Sequence, residues 1–244
     1  ELFSCLPMNK VKLHTLWLLG MLFLMTACGD DDDYYYPSVK LEFVTVKAGA
    51  DGLIQSLLPD KGELLTVAKD RTGSTISPNS ARRVISNYEV NPEDATAVIY
   101  SLQSVVAPEP KGADDPAFEG GLKYDPVDVT SIWLGRDYLN MILNVKININ
   151  SGKQHVFGMI EESVEVEGDE TVVTLSLFHD ANGDEENYNR RAYISVPLTK
   201  YVDEENPHQT IRIKFKYHTT DKNGVVVESS KYCDPGFEYV PGVN

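Results

Sequence analysis

Leu139, Met141, Leu143, Val145, Ile147 and Ile149 fall at every second position of one stretch, with Asn140, Asn144, Lys146, Asn148 and Asn150 between them. A period of two is that of a β-strand with one face against a core, since helical apolar positions recur every three to four residues. Ile142 is the exception, an apolar residue on the polar side. The pattern returns where Ile211, Ile213, Phe215 and Tyr217 alternate with Arg212, Lys214, Lys216 and His218. Val173, Leu175, Leu177 and His179 share one face, and Ile194, Val196 and Leu198 share another. Asn182-Gly183 and Asn223-Gly224 lie between such runs. Both residue types accept positive φ, so each pair predicts a hairpin, the first less firmly because a longer acidic loop surrounds it. About seven strands in about 120 residues predict an antiparallel β-sandwich over residues 122–244.

The first half is also built of strands. Apolar runs at 39–47, 63–70, 82–90 and 95–106 are separated by Gly, Pro, Asp and Asn clusters. Four or five strands in about seventy residues, with no helical pattern, predict a small closed barrel of the OB-like type over residues 37–107. Residues 108–121 are rich in Pro, Gly and Asp and lack periodicity, as a linker or long loop would. The fold class expected is therefore all-β, an N-terminal OB-like barrel followed by a C-terminal antiparallel β-sandwich. Limited proteolysis is expected to cut first in the linker.

The N-terminal segment reads as an address. Met8-Asn9-Lys10-Val11-Lys12 is a short basic region, followed by an apolar stretch over residues 13–27 that is too short for a comfortable membrane span. It ends in Leu24-Met25-Thr26-Ala27-Cys28-Gly29, a lipobox-like order with Met25 where Leu is usual. Residues 1–27 are thus expected to be a signal peptide with an upstream extension, and Cys28 the site of lipidation. Two or more acyl chains there would anchor the chain stably. Residues 28–36 form an acidic, Tyr-rich tether, Asp30 through Asp33 then Tyr34-Tyr35-Tyr36. An acidic run so close to the lipidated cysteine is expected to direct export to the cell surface. The expected location is the outer membrane, lipid-anchored and surface-facing.

Cleavage before Cys28 leaves 217 of the 244 residues, with 20 basic and 36 acidic side chains, net −16. Such a charge repels nucleic acid and anionic lipid. It is unevenly spread: residues 34–107 carry −1 and residues 108–244 carry −11. Cys233 is left alone, so no internal disulfide is expected and a structural thiol is the expectation.

Val129-Thr130-Ser131-Ile132-Trp133-Leu134-Gly135-Arg136-Asp137-Tyr138-Leu139-Asn140 resembles the central signature of the NigD-like lipoproteins of Bacteroidetes. His155-Val156-Phe157, Leu175-Ser176-Leu177-Phe178-His179 and Val196-Pro197-Leu198 extend the resemblance over most of the mature chain. It implies an N-terminal OB-like domain followed by a C-terminal β-sandwich. No functional residue is carried over from it except the lipidated cysteine.

Candidate sites are few. Asp180, Asn182 and Asp184 match the first three ligand positions of a calcium loop, but Glu185 stands where the turn needs Gly and Arg191 where a bidentate Glu is needed. A solvated acidic loop is the better reading of these residues. His155, His179, His208 and His218 show no metal-ligand spacing, and His179 reads as a strand-end histidine with a backbone partner. Arg212, Lys214 and Lys216 form an outward basic stripe that could hold an anionic ligand, but pairing across strands with acidic partners such as Glu165 and Glu167 is the preferred reading. Trp133 and Tyr138 read as core before they read as a sugar platform. The only arginines in the neutral barrel are Arg71, Arg82 and Arg83, so no nucleic-acid groove is expected. No nucleophile elbow or phosphate-binding loop occurs.

The function expected is that of a non-enzymatic binding or assembly module of the cell envelope, without cofactor or metal. Its partners would be the membrane, through lipid, and an envelope protein, peptide or glycan met by the acidic sandwich, which favours a basic or neutral partner. The alternative is a hydrolase of surface polymer with an acidic pair in the C-terminal domain.

Overall fold

The computed structural model describes residues 39–184 and 188–242. The signal segment, Cys28 and the acidic tether lie outside these residues.

The barrel is made of β1 (Val39–Ala48), β2 (Ile54–Pro59), β3 (Leu65–Asp70), β4 (Ala81–Asn91) and β5 (Thr96–Ser104), closed in the order β1-β2-β3-β5-β4. The long β1–β4 ladder, Val39↔Glu89 to Lys47↔Ala81, seals it, and β3 runs parallel to β5. Val44, Val46, Leu57, Val84, Tyr88, Ala97 and Ile99 fill the inside. β2 escapes the sequence pattern because Leu57 and Leu58 are adjacent and break the alternation, and because β1 bulges opposite the strand at Lys47/Ala48.

The sandwich contains β6 (Pro110–Gly112), β7 (Asp128–Gly135), β8 (Tyr138–Ile147), β9 (Val156–Glu167), β10 (Glu170–Asp180), β11 (Tyr188–Pro197), β12 (Ile211–Thr220) and β13 (Val226–Tyr239). One sheet has the order β13-β12-β10-β9-β6, the other β11-β8-β7. Most of the alternating residues named from the sequence form the core between them: Leu139, Met141, Leu143, Val145, Val173, Leu175, Leu177, Ile194, Val196, Ile211, Ile213 and Phe215 are all buried, whereas Ile149 lies past the end of β8 and is exposed. Each such side chain contributes about 1.5–3 kcal/mol on leaving water.

Two expectations change. Asn223-Gly224 closes the β12–β13 hairpin as predicted, with Gly224 at φ +80°, the Asp221 N–H donating to the Val225 carbonyl and the Val225 N–H donating to Asp221 Oδ1, both at 2.8 Å. Asn182-Gly183 makes no hairpin. Both residues have positive φ, but β10 and β11 belong to different sheets, so the turn begins a crossing between layers. The local signal was real; the partner of each strand was fixed by core packing instead.

The stretch expected as a linker, residues 108–121, carries structure. Pro110–Gly112 pairs parallel to Met159–Glu161 as a sheet edge. A 3₁₀ turn at Pro116–Phe118, capped by Asp115, drops Phe118 onto Ile160 and Phe178 on the outer face of β9 and β10. β10 is central and needs cover on both faces, which explains why Phe178 is apolar where a half-exposed strand would be polar.

Candidate functional site

The polar side of β8 faces the barrel. Asn140 and Ile142 point there, which accounts for Ile142 as the exception in the alternation, and Asn140 is fully buried. Ile142, Trp133 and Tyr193 of the sandwich pack on Phe43, Ile85 and Val105 of the barrel side. The Trp133 ring meets Phe43 edge-on at 5.4 Å.

A buried polar knot sits beside this apolar seam. Arg83 of β4 donates from Nε to Ser195 Oγ at 2.9 Å, and from one terminal nitrogen to Asp60 Oδ1 at 2.5 Å and Asn140 Oδ1 at 3.2 Å. Asn140 Nδ2 donates to the other Asp60 oxygen at 2.7 Å, and Ser195 Oγ donates to Asn140 Oδ1 at 2.6 Å. The guanidinium lies 4.1 Å over the Tyr138 ring. The Arg83 side chain is 3% exposed and that of Asp60 13%, so the ion pair survives burial because its groups are also hydrogen-bonded. Gly135 permits the close approach: a Cβ there would collide with the Asp60 carboxylate and the Asn140 amide. Arg136, at φ +47°, reaches back to the carbonyls of Pro59 and Gly62, at 3.2 and 2.7 Å. The residues from Trp133 to Asn140 thus clamp the barrel's β2–β3 loop.

Two adjoining cavities open along the seam. The first, about 360 Å³, is lined by Leu41, Phe43, Ile85, Trp133, Ile142 and Tyr193, with Glu42, Asp60, Lys61, Gln103 and Arg191. The second, about 550 Å³, shares Gln103, Arg191 and Tyr193 and continues past Ser104, the residues 147–155 loop, Phe157, Asp184 and Arg190. Its charged lining is mainly basic, Lys153, Arg190 and Arg191 against Asp184, with Gln103, Ser104, Asn148, Gln154 and His155 as the neighbouring polar groups. The carboxylates of the first cavity, Glu42 and Asp60, come from the barrel, and the second has Asp184 alone. Among the described lining residues the sandwich therefore does not supply the acidic pair that a hydrolase reading asks for.

At the second cavity the fold joins residues that spacing kept apart. His155 Nδ1 lies 2.9 Å from His179 Nε2, and His155 Nε2 lies 3.4 Å from Asp184 Oδ2. His179 Nδ1 donates to the Asp125 carbonyl at 2.9 Å, the backbone partner expected of it. A neutral His179 must then accept at Nε2, so His155 donates from Nδ1. Burial pushes the His179 pKa down, against the opposing pull of that carbonyl. The signal missed was tertiary: β9 and β10 pair His179 with Phe157, two residues from His155. Asp180 and Asn182 do not join Asp184. Asp180 caps the Asn182 N–H at 2.7 Å, while Asp184 accepts the Asn148 N–H at 2.9 Å. Among the described residues no His, Cys, Asp and Glu group could hold a metal ion.

The remaining candidates serve the fold. Arg212 pairs with Glu170 at 2.7 Å and Lys216 with Glu162 at 2.8 Å, not with Glu165 and Glu167. β10 lies between β9 and β12, and its short Ser176 lets Lys216 reach across to Glu162. Cys233 is a free, half-buried thiol whose pKa burial pushes up. Tyr138 and Trp133 both belong to the seam.

Comparison with known proteins follows this architecture domain by domain. Residues 43–105 match the NigD-like N-terminal OB domain and residues 111–229 the NigD-like C-terminal β-sandwich domain. The crystal structure of a NigD-like immunity protein from Bacteroides caccae is 70% identical, with a TM-score of 0.76, covering 85% of this chain and 100% of that one. The chain belongs to the NigD-like family. A toxin-related protein from Parabacteroides distasonis shares the fold at 15% identity and a TM-score of 0.62, over 84% of this chain and 94% of that one. So does a protein of unknown function from Bacteroides vulgatus at 18% identity and 0.59, over 85% and 96%. Among curated proteins there is no match. In this NigD-like chain the family-like run from Trp133 to Asn140 is where the two domains are fastened together.

Proposed function

We propose that this NigD-like chain is an immunity-type protein that works by binding, without chemistry, and is held to the outer membrane by lipid on Cys28 with its domains facing the cell surface. The observation that carries the reading is 70% identity over the whole of a protein described as a NigD-like immunity protein. The structure is compatible with it: a buried knot at Arg83 holds barrel and sandwich in one arrangement, and a preformed groove avoids the cost of ordering a surface on binding. Both domains line that groove, so the partner is met by the pair and not by the acidic sandwich alone.

Deletion of the gene tests this. The deletion strain, exposed to spent medium of its own parent, should lose viability, and a plasmid copy should restore it. A deletion strain that survives as well as its parent overturns the immunity reading.

A further inference from the structure

β11 is an edge strand of its sheet, flanked by β8 on one side only. Among the described residues its free side is met at a single bridge: the Val106 N–H donates to the Tyr193 carbonyl and the Ser195 N–H to the Val106 carbonyl, both at 2.9 Å. Backbone groups alternate along a strand, so Asn189 and Arg191 present N–H and C=O on that same side. There Gln103 and Ser104 of β5 turn away into the barrel. The second cavity is the wedge between these diverging strands.

The side chains flanking the wedge are unusual for so acidic a chain. Arg71 stacks on Tyr100, Arg82 bonds Ser104, Arg83 sits in the buried knot, Arg136 holds two carbonyls and Arg212 pairs with Glu170. Arg190 and Arg191 have no such partner among the described residues, and both line this cavity with Lys153. They project to opposite sides of the strand, Arg191 with Tyr193 toward the barrel and Arg190 with Ala192 toward the sandwich interior.

We infer that the wedge is a binding site for an extended acidic peptide segment of a partner protein, added as a strand to the free edge of β11 with its carboxylates on Arg190 and Arg191. This rests on the binding-module reading and names the partner's chemistry. An extended backbone satisfies the open N–H and C=O groups, as in other strand-addition complexes, and two guanidinium forks suit carboxylates alternating in register with them. The adjoining apolar cavity at Trp133 and Phe43 accepts a hydrophobic residue further along the same segment. The partner's acidity runs against the expectation from net charge, because the local lining and not the chain total faces the ligand.

The test uses the full chain and a fluorescein-labelled peptide, Glu-Asp-Glu-Asp with blocked ends, read by anisotropy. Binding should saturate, weaken at least tenfold in the Arg190→Gln/Arg191→Gln double variant, and persist in Lys214→Gln. The blocked Gln-Asn-Gln-Asn peptide should not bind. Both arginines are exposed, so the double variant should keep the wild-type thermal transition. Absence of saturation, equal binding of the amide peptide, or an unaffected double variant overturns the assignment. So does an N-methylated peptide that binds as well as its parent, since strand addition needs the N–H groups. If inorganic phosphate displaces the peptide mole for mole as well as unlabelled peptide does, the site is a simple anion site and the inference fails. If the arginines only guard a bare edge, the peptide will not bind and the double variant will self-associate. None of these outcomes depends on the immunity phenotype, so the two readings fail separately.

Discussion

The Arg83 Nε–H donates to Ser195 Oγ at 2.9 Å across 112 residues of sequence, with both groups buried. That bond and the Arg83–Asn140 contact fasten the barrel to the sandwich, and the Asp60 ion pair inside the barrel holds the buried guanidinium in place. Truncating one partner of such a pair leaves the other unpaired and costs about 3–5 kcal/mol. Arg83→Ala should therefore lower stability by about that amount and split a single thermal transition into two, as followed by calorimetry. One unchanged transition would show that the knot does not couple the domains. Arg83→Met with Asp60→Asn tests the same point while leaving no bare charge, and should recover part of the loss.

Phe118→Ala probes the stretch first read as a linker. Phe118 is buried against Ile160 and Phe178, its ring centroid 5.1 Å from that of Phe178 with the two rings tilted by 39°. Its truncation should cost about 3–4 kcal/mol. It should also make residues 108–121 the first site of limited proteolysis, where the unaltered chain should resist cutting. Early cutting of the unaltered chain would show that the contact does not hold the segment.

The strands that build the cores were legible in the sequence because period-two alternation reports a single buried face. Ile142 was legible only as an irregularity, and Asn140 read as an ordinary member of the polar face. An apolar residue on a polar face marks a second interface, but nothing in spacing says with what. The Arg83 knot draws on β4, the β2–β3 loop, β8 and β11, four segments joined only by tertiary packing. For the same reason the His155–His179 contact was invisible, while the backbone partner of His179 could be inferred from its place at a strand end. Residues 108–121 misled because Pro and Gly suit both linkers and the short edge strand they form.

His179 gives a pH dependence. His179 has a folded pKa below its ordinary value because burial disfavours the charged ring. The unfolded chain then binds more protons than the folded one, so stability rises with pH through the window below about 6.5 and falls as the medium is acidified from there. Urea midpoints measured between pH 7.5 and 5 should decline, and His179→Gln should flatten the slope. An equal slope in the variant would assign it elsewhere.

Lipidation at Cys28 is testable apart from the fold. Cys28→Ala should abolish globomycin-sensitive processing and release the chain from the membrane fraction, with its thermal transition unaltered. Normal processing and retention in the variant would remove the anchor from the account.

The central claim is protection by binding at the envelope, and survival of the deletion strain in its parent's spent medium measures it most directly. Complementation with the wild-type chain should restore survival to the parental level, and the Cys28→Ala chain, folded but released, should restore little of it. Full survival of the deletion strain without any complementing copy would contradict the claim.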